Sequence, residues 1–403
     1  MSANAESDSP RGLPVSYCAN VHPGKTFDEA FANLKRYAAP LREKRGQSLA
    51  VGLWLGAYAI GETKSREELK DELKDWLQSN DIVTYTMNAF PFGNFHAESV
   101  KEEVYKPDWT DSLRVGYTQQ VARVLADLLP DGVEGSISTV PLAFSTHHPL
   151  DKDTSIYRPN LIHIARFLEH IHQTTGKMIR LAIEPEPGCV LETTEQAIGF
   201  FKSLWKATDG TKDEKAVREH LGLCYDVCHQ AVEYESIADS MQLLDENEIR
   251  IVKLHLSCAI ELSDPSDDEA RNELSRFAEP RYLHQTFAEH PSGRLLKLLD
   301  LSRDHALSPS AEWRDSKSWR IHFHVPVHKH SIGRLKTTRP QLEAAIAFLP
   351  KLSHRPHLEV ETYTWNVLPT DNAHPVAFDL VEGLAAELAS IDALLDTKVG
   401  SVG

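Results

Sequence analysis

A chain of 403 residues with 41% hydrophobic and 25% charged side chains can fill one large core or two ordinary ones, which excludes wholesale disorder. Its net charge of −16 opposes unspecific binding to nucleic acid, whose phosphates it would repel. Five cysteines without a CxxC pair, no apolar run of membrane-spanning length and a polar start without a secretory pattern lead to the expectation of a cytoplasmic protein without disulfides or transmembrane segments.

Residues 1–12 read as a flexible tail ahead of a single domain over 13–397. The first strand candidate, 15–22, ends at Pro23-Gly24 and carries His22, and Thr26 is placed to cap the helix that follows. A second strand covers 49–55. Ser65 with Glu68 matches a capping box ahead of the helix of Leu69, Leu73 and Leu77. The third strand, 82–90, leaves through an aromatic loop to His96 and Lys101, residue types suited to a pocket rim. Asp111 opens a helix, 133–142 is a fourth strand, and a helix over 160–175 precedes Leu181-Ala182-Ile183-Glu184-Pro185-Glu186-Pro187-Gly188.

That last stretch is a buried-strand pattern that breaks into a loop just as it delivers Glu184 and Glu186, two carboxylates on one side of the chain. The same grammar recurs. Residues 221–229 run apolar and then present Asp226 and His229, 251–257 present His255, and 357–363 present Glu359 and Glu361. Strand ends that deliver chemistry from distant parts of a chain are how a parallel (β/α)8 TIM barrel assembles a site. Residues 261–317 are polar and loosely patterned, and read as an insertion before the last strand. Residues 319–328 form another strand candidate, with His322 and His324 on one side, and a terminal helix spans 377–395. Nine strand candidates result where a barrel needs eight, so one of those near 251 and 319 belongs to the insertion.

Glu184, Asp226, His255 and Glu361 make a set of three carboxylates and one imidazole, which suits Mn²⁺, Mg²⁺ or Co²⁺ and admits Zn²⁺. Either member of the pairs Glu184/Glu186 and Glu359/Glu361 can hold the ion while the other orients a ligand or serves as a base. His229 is placed to contact substrate, as are His22, His96, Lys101, Glu186 and His324, and Trp365 is placed to wall the pocket. Such a centre supports isomerase or epimerase chemistry with Glu184 or Glu361 moving a proton, hydrolysis by an activated water, or binding of a metabolite without turnover. The sequence has neither a Gly-rich nucleotide fingerprint nor a GxSxG elbow.

Ile-Glu-Pro at 183–185, Asp-x-x-His at 226–229, Leu-His at 254–255 and Val-Glu at 360–361 resemble the metal-bearing strand ends of the xylose isomerase-like TIM-barrel superfamily, which includes sugar epimerases, hydroxypyruvate isomerase and endonuclease IV. The resemblance implies Glu184, Asp226, His255 and Glu361 as ligands and His229 beside the substrate. Longer stretches resemble the metabolite traffic protein EboE family: Ser-Tyr-Cys-Ala-Asn-Val-His-Pro-Gly at 16–24, Asn-Ala-Phe-Pro-Phe-Gly-Asn-Phe-His at 88–96, His-Phe-His-Val-Pro-Val at 322–327 and Leu-Glu-Val-Glu-Thr-Tyr-Thr-Trp at 358–365. That likeness implies a bacterial secondary-metabolite gene cluster, a small-molecule precursor as ligand and other proteins of the cluster as partners. It also implies glutamine in many members at the position of His255, in which case His322 or His324 would complete the ligand set. The expectation is a metal-dependent isomerase-like enzyme. A non-catalytic carrier and, by fold analogy, an abasic-site endonuclease are the alternatives.

Overall fold

The structure is a computed structural model and describes residues 12–93, 95–147, 153–369 and 379–398; the tail expected at 1–12 lies outside them except for Gly12. Eight parallel strands close on themselves. They are β1 (Ser16–Cys18), β2 (Leu49–Trp54), β3 in two pieces (Ile82–Val83 and Thr86–Asn88), β4 (Gly135–Thr139), β5 (Ile179–Ile183), β6 (Leu221–Asp226), β7 (Ile251–Leu256) and β8 (His357–Val360). Closure is made where Ser16 of β1 pairs with Glu359 of β8 on one side and with Ala50 of β2 on the other. Both pieces of β3 pair with β2, so they are one strand with a residue of slack between them.

Each strand is followed by at least one helix that covers the outside, from Phe27–Arg45 after β1 to Leu380–Lys398 after β8. Every residue of β2, β4, β5, β6 and β7 is buried, as expected where helices cover one face and barrel interior the other. The helix starts follow local chemistry. Thr26 accepts from Glu29 N, Asp111 from Leu113 N, and Thr193 with Gln196 forms a reciprocal capping box. The capping box expected at Ser65 is absent: Ser65 ends the helix Ala57–Ser65, and Glu67 precedes Glu68–Ser79 with no side-chain cap.

The connection between β7 and β8 builds a second sheet. Six antiparallel strands, in spatial order Leu295–Leu298, Thr286–Glu289, Ser318–Ile321, Ile260–Leu262, Leu335–Thr337 and Ser331–Ile332, come from this connection alone. The sheet therefore draws on chain from Ile260 to Thr337, further than 261–317. The strand candidate over 319–328 is corrected by this topology: only Ser318–Ile321 pairs, it pairs antiparallel, and it belongs to the insertion. Trp319 anchors it, fully buried, with its indole N–H donating to Trp313 O and Ser316 Oγ. Beyond Ile321 the chain leaves the sheet and turns Phe323 into the core, which sends His322 and His324 the other way, toward the barrel mouth.

Candidate metal centre

Strand register brings the first ligand candidates together. Asp226 of β6 sits beside His255 of β7, and His255 sits beside Glu359 of β8. Glu184 and Glu361 each follow the last residue of their strand by one position, so they stand at the rim. The ligating atoms of Glu184, Asp226, His255 and Glu361 all lie within 4.8 Å of one another, and all four residues are buried. His255 Nδ1 is 3.0 Å from Glu184 Oε1, 3.0 Å from Glu361 Oε2 and 3.4 Å from Asp226 Oδ2.

One imidazole nitrogen carries at most one proton, so it can donate to only one of three carboxylates. Burial opposes a charge on His255, yet its anionic neighbours, Glu184 and Glu361 among them, outweigh burial and hold the imidazole well above its ordinary value. Even so, a single positive charge does not neutralise three buried negative ones, and Asp226 Oδ2 has no hydrogen-bond partner among the described residues. Like charges so placed are costly without a further cation. The residues thus fit a divalent ion, and the set of three oxygens and one nitrogen suits Mn²⁺, Mg²⁺ or Co²⁺, with Zn²⁺ admitted.

The two glutamate pairs separate by depth. Glu361 belongs to the tetrad, whereas Glu359, two residues earlier, points to the layer below. There it meets Lys253 Nζ at 2.7 Å, accepts from Ser16 Oγ at 2.9 Å and faces His255 Nε2 at 3.4 Å. Burial would raise the Glu359 carboxyl, but Lys253 and His255 hold it down at about 2. A carboxylate behind a ligating histidine fixes the ring's orientation and tautomer. Gly52 of β2 makes room for it, since a Cβ there would lie 1.4 Å from Glu359 Oε2. Glu186, two residues after Glu184, rises instead toward the cavity, where Tyr105 OH donates to it at 2.7 Å. Burial, and then Glu184, Asp226 and Glu361, push its carboxyl well above the usual range against that hydrogen bond.

Around the tetrad stands a ring of imidazoles and amides. Asp226 caps the short helix Val227–Val232 by accepting from His229 N, and this places the His229 ring with Nδ1 3.0 Å from Pro185 O and Nε2 3.1 Å from His322 Nε2. His322 Nδ1 faces Gln285 Oε1 at 2.8 Å; burial, with His229 and His324 beside it, keeps His322 well below its ordinary value and therefore neutral. His324 Nδ1 bonds Glu361 O at 2.8 Å, and its Nε2 has no partner among the described residues, 3.9 Å from Asp226 Oδ2. Asn20 and Asn88 both donate to Glu361 Oε1, at 2.8 and 3.1 Å.

A cavity opens over this floor. Glu184, Glu186, His229, His324, Glu361 and Lys101 line it. Lys101 is already engaged, donating to Tyr282 O at 2.7 Å and Asp300 Oδ2 at 2.8 Å. Three expected rim residues lie elsewhere. His22 stacks on Tyr37 at 4.6 Å with its Nε2 3.2 Å from Tyr17 OH, and burial drives its pKa to about 3. His96 is not among the lining residues; its Nε2 lies 2.7 Å from the backbone carbonyl of Asn20. Trp365 is corrected from pocket wall to packing: its indole N–H donates to Glu387 Oε2 of the terminal helix.

Sequence reasoning named Glu359 but missed Lys253 beside it, and missed Asn20, Asn88, Tyr105, Gln285, Tyr282 and Tyr363. A polar residue at or just past an apolar strand's end is the signal that would have found the two asparagines. Nothing local marks the others: Lys253 sits inside β7, Tyr363 follows β8, Tyr105 comes from the loop after β3, and Tyr282 and Gln285 come from the insertion.

Fold and centre together define the class, a (β/α)8 TIM barrel with a set of buried residues able to hold a metal ion at its carboxyl end. Two solved structures of that class match over nearly the whole length: an IolI protein with a bound zinc atom, 12% identical, covering 96% of this chain and 99% of its own, TM-score 0.50; and a xylose isomerase-like TIM-barrel protein from Mycobacterium smegmatis in complex with magnesium, 11% identical, covering 97% and 98%, TM-score 0.50. At these identities the likeness is one of fold. No protein-family model and no curated protein matches the sequence. Among the described residues no helix is long and apolar enough to cross a membrane.

Proposed function

We propose that the chain is a divalent-metal-dependent enzyme of the isomerase/epimerase kind, acting on a small hydroxylated carbonyl metabolite. The observation that carries this reading is the convergence of Glu184, Asp226, His255 and Glu361 within 4.8 Å at the floor of a cavity. A divalent ion held there would bind adjacent substrate oxygens and polarise a carbonyl. The chain's own part is proton handling. Glu184 and Glu361 come from β5 and β8, so a substrate carbon held between them has one carboxylate to take its proton and another to return it. His229 and His324 supply polar contacts from the side, and Glu186, which keeps its proton, supplies a donor.

The long stretches resembling the EboE family support placing the substrate in a secondary-metabolite pathway, with other proteins of that pathway as partners. The rival reading, metal-assisted carriage without turnover, rests on the same centre. Incubating the metal-loaded protein with hydroxy ketones and ketoses in deuterated water separates them: deuterium enters the substrate carbon in the wild type and not in Glu184→Gln. Tight binding with no exchange for any of them would favour the carrier and overturn the enzyme.

A further inference from the structure

The cavity has two halves of opposite character. Its floor is the polar ring just described. Its roof is apolar: Phe90, Phe95, Val100, Val104, Tyr282 and Leu283 all face the same space. These are not loose loop residues. Phe95, Tyr282 and Tyr363 form a closed triangle with ring centroids 5.0 to 5.1 Å apart, and Phe95 and Tyr282 are only 6% and 5% exposed. Backbone bonds staple the two sides of the roof. Val100 N and Lys101 N both donate to Arg281 O, at 2.8 and 3.0 Å, which ties the loop after β3 to the insertion.

The charges in the cavity exclude an anionic tail. Among the described residues that line it, Lys101 is the one lysine or arginine, and its ammonium is spent on Asp300 and two backbone carbonyls. Arg281 presents its carbonyl to the staple and lies with its guanidinium 5.9 Å from the Tyr282 ring centroid, outside the lining. A phosphate is normally met by arginine, by a free lysine or by backbone N–H groups at a helix start. Among the described lining residues no arginine or free lysine is offered, and the carboxylates of Glu184 and Glu361 face the space instead.

We infer that the ligand of this site is an uncharged chelator, a hydroxy ketone or polyol, that carries an apolar arm under the aromatic roof and no phosphate. The inference rests on the proposed metal centre and adds the substrate class to it. The oxygens of the head meet the floor, and the arm buries apolar surface against Phe95, Val104 and Leu283.

Three hydroxamates with one chelating head test it on the full-length protein by calorimetric titration with and without Mn²⁺: acetohydroxamate, phenylacetohydroxamate and phosphoglycolohydroxamate. Phenylacetohydroxamate should bind roughly tenfold tighter than acetohydroxamate or better, from the apolar area it buries, and the phosphorylated probe should bind more weakly than either. Val104→Ser and Leu283→Ser, both at half-buried positions, should remove the aryl preference while leaving acetohydroxamate binding unchanged. Metal-dependent binding with no aryl preference, or with the phosphorylated probe tightest, overturns this inference alone. Binding that is absent, or equal with and without Mn²⁺, overturns the metal centre beneath it as well.

Discussion

Glu361 and His255 are each held by a second residue whose removal has a separate, measurable consequence. Asn20 donates its side-chain amide to Glu361 Oε1, and its backbone carbonyl is met by His96 Nε2. Asn20→Ala should weaken Mn²⁺ binding about 10- to 100-fold, the usual effect of losing a group that orients a ligand, with little change in melting temperature; calorimetric titration reads the first and a thermal scan the second. Lys253 is different, because it and Glu359 are wholly buried. Lys253→Met leaves a carboxylate without its counter-charge and should cost about 3–5 kcal/mol in a urea titration, most of it recovered in the double variant Lys253→Met, Glu359→Gln. If the single and double variants are equally unstable, the pair is not the source of the cost.

At the scale of elements, two strands and a helix carry testable constraints. β2 must bring its backbone close to Glu359, and Gly52→Ala, with its Cβ 1.4 Å from the carboxylate oxygen, should destabilise by about 1–3 kcal/mol or more and disturb His255 through Glu359. The terminal helix is clamped to the barrel by Glu387, which accepts from Val327 N, Thr362 Oγ1 and Trp365 Nε1. Burial outweighs these three donors and raises its carboxyl to about 7. A folded pKa above the unfolded value means the folded state holds the proton more tightly, so this contribution is full below about pH 4.3 and is lost as pH rises through 7. Stability should therefore fall by about 3 kcal/mol on this account between pH 4.5 and 8, and Glu387→Gln should flatten that part of the profile.

The second half of the barrel was legible because β5 to β8 state themselves twice, as apolar runs and as acids or imidazoles delivered at their ends: Ile183 then Glu184, Tyr225 then Asp226, Leu254 then His255, Val360 then Glu361. What was not legible has one physical source. A second sheet whose strands pair with partners up to 77 residues away in sequence, as Lys336 does with Glu261 and Thr337 with Ile260, leaves little local trace, so the sequence left open whether the strand near 251 or the one near 319 belonged to the insertion. Trp365 and His22 were misplaced for a simpler reason. An aromatic or imidazole near a site is read as facing it, while the indole N–H and the imidazole nitrogen each needed a buried partner and found one elsewhere.

For the whole molecule, the excess of negative charge and the acidic cavity act together. Both oppose polyanions, so the protein should neither retard nor nick a labelled abasic duplex at low salt, where any electrostatic attraction would be strongest. Cleavage that survives purification to homogeneity and disappears in Asp226→Asn would reverse that conclusion.

The account stands on one cation joining side chains from four strands, and anomalous scattering at the manganese edge, from crystals grown with Mn²⁺, reads it directly. The predicted result is a peak enclosed by Glu184, Asp226, His255 and Glu361, absent in the Glu184→Gln, Asp226→Asn double variant. A map with no peak among those four, the carboxylates closed instead on a protonated His255, would contradict it.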